Sequence, residues 1–534
     1  MTDIATAADD VRPMTRPREK DNLTLRYMTG ILPVLFAFAG AAVAEPVPRE
    51  RVQAAVARIG AMAEDLIEAG EVPGLAIGIV QGDEVIWTQG FGVRRMGSPD
   101  SVDADTVFPL ASLSKPIAAT VVAGLVGKRV LDWDDRIRDL DPGFALHDPY
   151  PTVEVTVRDM FGHRSGLPGS AGNDLEQIGF DRATVMERLR LVPAWTGFRG
   201  GYVYSNAAFT EGGLAAAQPT GKDWEIVAKE ELFGPLGMNS TSYRNADFLD
   251  RLNAVAPHVK WQGAWTPQAI RDPTSQGPAG GATSSVNDMT RWMRLELDQG
   301  SFDGAPVIPV EALAPTHVPL MARGMNPITG AESFYGLGCA IEIGRHGVVW
   351  QHAGAFSYGA LTLVKFLPDS QLGIVVLSNG FPNGAPEALG DSFFDLAIDG
   401  ELARDYLAPW SAHYGGMFAL QVAEAKALYA SPPDPATPAL PAAAYVGHYH
   451  NAYVGDALVE QQADGALVLA LGLDGVTRLP LSHFDRDLLT WFPDAEMPDK
   501  PSAVQFSIAT EERAESMRIE SLDANGLGTL TRIE

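Results

Sequence analysis

The sequence predicts an α+β protein: an antiparallel sheet flanked by helices, with a helical subdomain, followed by a small all-β C-terminal domain. Three observations carry this. A helical pattern and a hairpin near residue 50 are answered near residue 350 by consecutive strands and another helix, so both ends of one unit build one sheet. Between them, residues 130–300 alternate short helical segments with loops rich in Gly, Pro and Asn. Past residue 445 the pattern changes to short alternating runs separated by Gly and Asp turns, an all-β signature.

Composition sets the outer bounds. The 534 residues hold 67 acidic and 40 basic side chains, for a net charge of −27, and suit two or three domains. The acidity excludes nucleic acid and anionic membrane surfaces, which need a dense basic face. With Cys339 alone, no intramolecular disulfide and no Cys-based zinc site is available.

Basic residues Arg16, Arg18, Lys20 and Arg26 precede an apolar run from Ile31 to Val43 that ends at Ala42-Val43-Ala44. That order reads as a secretory signal peptide, residues 1–44, cleaved after Ala44. The run is short of the roughly 20 apolar residues a spanning helix needs. Initiation at Met14 would give a signal of more ordinary length. The expectation is an exported, periplasmic protein without stable membrane insertion.

Val52 to Ala69 has helical apolar spacing. Leu75 to Val80 and Val85 to Gln89 read as a hairpin, and Phe108 to Lys128 as a long helix with Ser112 near its start. Val348 to Gln351, Gly359 to Phe366 and Gly373 to Ser378 read as strands, and Pro386 to Tyr406 as a helix. These elements form a unit over 45–430. Residues 431–441 hold five prolines and read as a stiff linker. Residues 442–534 then form a barrel or sandwich.

Ser112-Leu113-Ser114-Lys115 is an S-x-x-K tetrad. On a helix, residues three apart share a face, so the Ser112 hydroxyl and Lys115 amine enter one site. A serine hydroxyl is a poor nucleophile until a neighbour takes its proton. With 25 serines and nine lysines, about 0.4 such matches arise by chance, so the tetrad needs company. Tyr204-Ser205-Asn206 supplies a Y-x-N after the Gly197 to Gly201 loop; Tyr243-Arg244-Asn245 and Tyr449-His450-Asn451 match the pattern equally well. His352-Ala353-Gly354 lies on an apparent strand, where glycine admits close backbone approach by a ligand. His413-Tyr414-Gly415 competes with it from a helical stretch. His448, His450 and His483 could gather, but three histidines on a β-domain are more often surface residues, and no metal is expected.

With these motifs the sequence resembles the serine β-lactamase-like, penicillin-recognising hydrolases, which include class C lactamases, D-alanyl-D-alanine carboxypeptidases, D-aminopeptidases and certain esterases. The blocks GLAIGIVQGDEVIWTQGFG (74–92), FPLASLSKP (108–116), VTVRDMFGHRSGLP (155–168), YVYSNAAF (202–209), FGPLGMNSTSY (233–243), GPAGGATSS (277–285) and QHAGAFSYGALTLVKFLPDSQLGIVVLSN (351–379) carry it in order. YVGHYHNAYVG (445–455) resembles the β-barrel appendage of some members.

The resemblance implies that Ser112 is acylated, that Lys115 is its hydrogen-bonded partner, and that Tyr204 is the base. Asn206 would bind the substrate amide or Lys115. The N–H groups of Ser112 and Ala355 would form the oxyanion hole, and His352 and Gly354 would line the substrate side. His163 would fix a loop beneath the site. Tyrosine titrates near 10 and lysine near 10.4, so either must shift about three units to act at neutral pH, and their titrations are coupled. The implied chemistry needs no cofactor. Small peptides with D- or non-standard residues are the first substrate class, with linearised cyclic peptides such as linear microcystin as one candidate. Short acyl esters come second and β-lactams third. The rival from another class is a non-catalytic binder of peptidoglycan fragments. The C-terminal domain could gate the cleft, mediate oligomers or trim the substrate range.

Overall fold

The computed structural model describes residues 47–533 apart from 262, 270, 494–496, 498, 510 and 511; the expected signal segment lies outside them. Helix α1 (Arg49–Glu68) buries Val52, Ala55, Ile59, Ala63 and Leu66, the three-and-four spacing of one apolar face. It stops where Gly70 takes φ +69° and the Gly70 and Glu71 amides turn back to Ile67 and Leu66, a glycine-dependent C-cap.

Eight strands form one sheet: β1 (Gly74–Gln81), β2 (Glu84–Gly92), β3 (Met321–Met325), β4 (Glu332–Tyr335), β5 (Ala340–Gly344), β6 (Gly347–Phe356), β7 (Ala360–Leu367) and β8 (Leu372–Ser378). Their order is β2-β1-β8-β7-β6-β5-β4-β3, antiparallel throughout. The N-terminal hairpin thus joins the C-terminal meander through the β1–β8 pairing, Leu75 opposite Ser378. β7 and β8 are buried along their whole length, which explains their nearly continuous apolar sequence. α1 and a second helix, Ala385–Ile398, share a core with one face. Helix Val286–Leu297 covers the other; there a Cβ on Gly78 would lie 2.7 Å from Thr290 Cγ2.

The strands β3, β4 and β5 are additions to the sequence reading. They are short, β3 has no buried residue and β4 and β5 are buried only in part, so no apolar run announces them. The expected helix from Phe108 is also interrupted. Phe108–Pro109 is a two-residue strand, Ala111–Leu113 a 3₁₀ turn, and α2 proper runs Ser114–Gly127. Ala111 breaks the helix by taking φ +49°, a left-handed conformation costing about 1 kcal/mol for a residue with a Cβ.

The C-terminal region closes into an eight-stranded barrel between Gly447–Asn451 and Thr529–Arg532, the last strand pairing back on the first at Tyr449 and Arg532. Tyr449, Trp491, Phe506 and Met517 fill it. The preceding proline-rich segment is hydrogen-bonded along the barrel, Thr437 N to Asp485 Oδ1 at 2.7 Å and Leu440 N to Tyr445 Oη at 2.9 Å. The barrel also docks on the helical subdomain. Tyr453 Oη donates to Asp174 Oδ1 at 2.5 Å, Arg188 to Tyr453 O at 2.7 Å, and Thr477 Oγ1 to Ile178 O at 3.0 Å. One hydrophobic cluster runs through both. Burial raises the Asp174 carboxyl to about 6.

Candidate active site

The site begins with the turn that breaks the α2 stretch. The positive φ at Ala111 sets Ser112 just ahead of α2, half-buried, while Lys115 in the first turn of α2 is fully buried. Ser114 pins the turn: its hydroxyl donates to Ala111 O at 2.6 Å and accepts from Ala282 N at 2.9 Å. Among the described residues no acceptor takes the Ser112 backbone N–H.

Lys115 Nζ makes three polar contacts: Asn206 Oδ1 at 2.7 Å, Ala279 O at 2.9 Å and Ser112 Oγ at 3.2 Å. It also lies 4.5 Å from the centre of the Tyr204 ring. Burial holds this amine well below its ordinary value. A neutral amine has two N–H donors and one lone pair. In that form, with the donors on the two carbonyl oxygens, the lone pair would face the Ser112 hydroxyl.

Tyr204 stands on an extended segment that ends in helix α3 (Asn206–Ala217). Ser205 is its N-cap, accepting from Ala208 N at 3.4 Å. Tyr204 therefore just precedes the helix and Asn206 opens it, which delivers both side chains to Lys115. His163 holds this segment from behind: its Nδ1 accepts from Ser205 N at 3.2 Å, its carbonyl accepts from Val203 N at 2.9 Å, and its ring lies 4.4 Å from that of Tyr204. Burial drives the Tyr204 pKa up, outweighing the opposing influence of the Ser112 hydroxyl. At neutral pH Tyr204 is a phenol, while burial favours the neutral form of the Lys115 amine, whose Nζ lies 3.2 Å from Ser112 Oγ.

His352 is buried, and both ring nitrogens are already used. Nδ1 donates to Ala353 O at 2.7 Å and Nε2 accepts from Tyr335 Oη at 2.9 Å. Burial first, then the Lys115 charge, push it down to about 3, so it is neutral. The resemblance placed His352 on the substrate side of the strand; both of its ring nitrogens are engaged within the protein, where it holds the Tyr335 hydroxyl. Gly354 departs similarly. A Cβ there would lie 2.2 Å from Leu110 O and 2.8 Å from Leu113 N, so the close approach is made by the nucleophile's own turn. Thr362 Oγ1 fastens the contact, donating to Leu110 O at 2.8 Å. Ala355 is the next residue of β6.

The competing motifs are separated by place. Tyr243 Oη donates to Ser114 O at 2.8 Å beneath the site, Tyr449 lies in the barrel core, and His413 is on helix Leu407–Gly416. Tyr202, Tyr335 and Arg323 were missed. Tyr202 had a signal, since residues two apart on an extended segment share a side; Tyr335 and Arg323 arrive only through tertiary pairing. A cavity of about 570 Å³ is lined by Phe180, Gln268, Tyr358 and Pro493. Ser112, Lys115 and Tyr204 do not line it, so hydrogen bonding rather than cavity size marks the reaction centre.

Comparison with known proteins agrees with this geometry. The beta-lactamase family profile matches residues 59–394, and a domain of unknown function, DUF3471, matches residues 431–529. Unguisins hydrolase ungD of Aspergillus violaceofuscus is 26% identical over 440 residues, 76% of each chain. Penicillin-binding protein 4 of Amycolatopsis lactamdurans is 28% identical over 341 residues, 62% of this chain and 86% of that protein. The D-alanyl-D-alanine-carboxypeptidase/endopeptidase AmpH of Escherichia coli is 23% identical over 350 residues, 63% and 87%. The octameric penicillin-binding protein homologue from Pyrococcus abyssi shares the fold, with a TM-score of 0.57 at 17% identity over 87% of this chain and 98% of its own. The family profile spans the eight-stranded sheet together with Ser112, Lys115 and Tyr204, and this chain belongs to the beta-lactamase family of serine, penicillin-recognising hydrolases.

Proposed function

We propose that the protein is an exported serine peptidase that forms an acyl-enzyme on Ser112 and acts on small peptides containing D- or otherwise non-standard residues, linearised cyclic peptides among them. The observation that carries the acyl-transfer reading is the buried Lys115 amine, held by Asn206 and Ala279 with its Nζ 3.2 Å from Ser112 Oγ. Lys115 Nζ takes the Ser112 proton while Oγ bonds to the scissile carbonyl carbon. The oxyanion sits against the N–H groups of Ser112 and Ala355, each donor worth about 3 kcal/mol in such sites. The Tyr204 hydroxyl passes a proton to the leaving nitrogen as the C–N bond breaks, and is refilled from the Lys115 ammonium. Water then attacks the acyl carbon, and the same groups run in reverse to release the acid. A complete nucleophile-and-base set speaks against a purely binding role.

The peptide preference leans on relatives named as a carboxypeptidase/endopeptidase and an unguisins hydrolase. An esterase is the second reading. It is favoured by the neutral His352, which puts no fixed charge on β6, and by the easier departure of an alcohol.

Mass spectrometry of residues 45–534 with a mixed panel separates the readings. The panel holds L- and D-residue peptides, a linearised cyclic peptide, a short-chain activated ester and a penicillin. Cleavage of a D-containing or linearised peptide is the expected result. Ester turnover with every peptide intact would move the protein to the esterase branch.

A further inference from the structure

Arg323 lies in β3, the edge strand of the sheet. The β3–β4 register pairs Gly324 with Ser333 and Ala322 with Phe334, which leaves Arg323 as the extra residue of a β-bulge. Bulges on edge strands redirect a side chain. Here the guanidinium lies 5.7 Å from the Tyr202 ring and 5.9 Å from the Tyr335 ring. Tyr335 bonds His352 through its hydroxyl, and its ring is 6.3 Å from that of Tyr204. One aromatic layer thus separates Arg323 from the reacting groups.

The guanidinium donates to Ser333 Oγ at 3.5 Å, and its charge acts on the Tyr202 phenol. Among the described residues no carboxylate pairs with it, and the residue is exposed. Its charge reaches Tyr202, Tyr204, His163 and His352, and no carboxylate is among the groups that shift those four. In a chain of net charge −27, the reaction centre is thus flanked by a cation. Lys115 is fully buried with its polar contacts already made to Asn206, Ala279 and Ser112, and His352 carries no charge.

We propose that Arg323 is a specificity-determining residue that binds a carboxylate of the substrate, the C-terminal carboxylate of a short linear peptide or an acidic side chain near the cleaved bond. The inference rests on the acyl-transfer reading of Ser112 but not on the peptide preference. Guanidinium suits the task because its planar fork matches a carboxylate, and the flanking aromatic rings keep it extended.

The test compares matched substrates. One pair is an activated ester carrying a carboxylate on its alcohol portion and the methyl ester of the same compound. A second set is a peptide with a free C-terminus, its C-terminal amide, and that amide with one glutamate. For the wild-type enzyme, kcat/KM should favour carboxylate over neutral partner by about tenfold or more, mainly through KM. Added salt should narrow the ratio. Arg323→Gln should bring the ratio near one, and Arg323→Lys should keep part of it. The free-terminus and glutamate arms identify which carboxylate is read. A merely structural Arg323 would lower both members of a pair together, and an unchanged ratio in Arg323→Gln would overturn the proposal. Discrimination by the ester pair with all peptides intact would retain the Arg323 role and remove the peptidase reading. Cleaved peptides without discrimination would do the reverse.

Discussion

Replacing Ser112 by alanine should lower turnover of any accepted substrate by about 10⁴-fold or more while leaving the fold intact, because losing the nucleophile of such a set removes the covalent route altogether. The side chain is half-buried, and its partners Lys115 and Tyr204 each have other anchors: Asn206 and Ala279 for the amine, the His163 ring for the phenol. Removing one oxygen therefore costs little stability, and thermal melting should stay within a few degrees of wild type. What survives would be the modest catalysis of an oxyanion pocket acting on water. Turnover within tenfold of wild type would place the chemistry elsewhere.

The second large effect is expected at Lys115. Methionine fills the same volume without a proton acceptor, and kcat/KM should fall about 10³-fold, equivalent to about 4 kcal/mol of barrier. The pH profile tells more than the size. A base must be deprotonated to act, so activity should rise with pH through the lowered Lys115 value, well below the ordinary 10.5, and then level off. That acid limb should vanish in Lys115→Met. It should persist in Tyr204→Phe, which retains the ring against Lys115 and His163 but loses the proton relay. His352, held near 3, contributes nothing above pH 5. An acid limb that disappears in Tyr204→Phe and survives in Lys115→Met would make tyrosine the base.

The choice between these two groups shows where the sequence stops informing. Both lie about three units from neutrality in free solution, and the family resemblance assigned the base to Tyr204. Burial acts oppositely on a cationic acid and a neutral one, lowering the amine and raising the phenol. Its extent at each position depends on Asn206, Ala279 and Phe209, which come together only in the fold. The Ser112–Lys115 relation was legible because a three-residue spacing constrains geometry locally. The hairpin of β1 and β2 was legible from its alternation and turn.

Other features had no local trace. The break at Ala111 reads as good helix, and the fit of the turn against Gly354 and Thr362, with the Ser114 hydroxyl pinning it, appears only in the fold. The partners of His352 and Gly354, Tyr335 and Leu110, are distant in sequence and left no local trace. Arg323 depends on a one-residue slip in strand register, which no hydrophobic pattern records on a short, exposed edge. The barrel's docking through Tyr453 and Asp174 was likewise unmarked, since a single tyrosine and a single aspartate carry no spacing.

The central claim is acyl transfer through Ser112, and intact-mass spectrometry of a trapped intermediate addresses it most directly. The enzyme would be mixed with a slowly hydrolysed activated ester or penicillin, quenched in acid and digested. The account predicts one added acyl group, mapped to Ser112, formed faster as pH rises through the lowered Lys115 value and absent from Ser112→Ala. An acyl group on another residue, or an adduct of equal yield in Ser112→Ala, would contradict it.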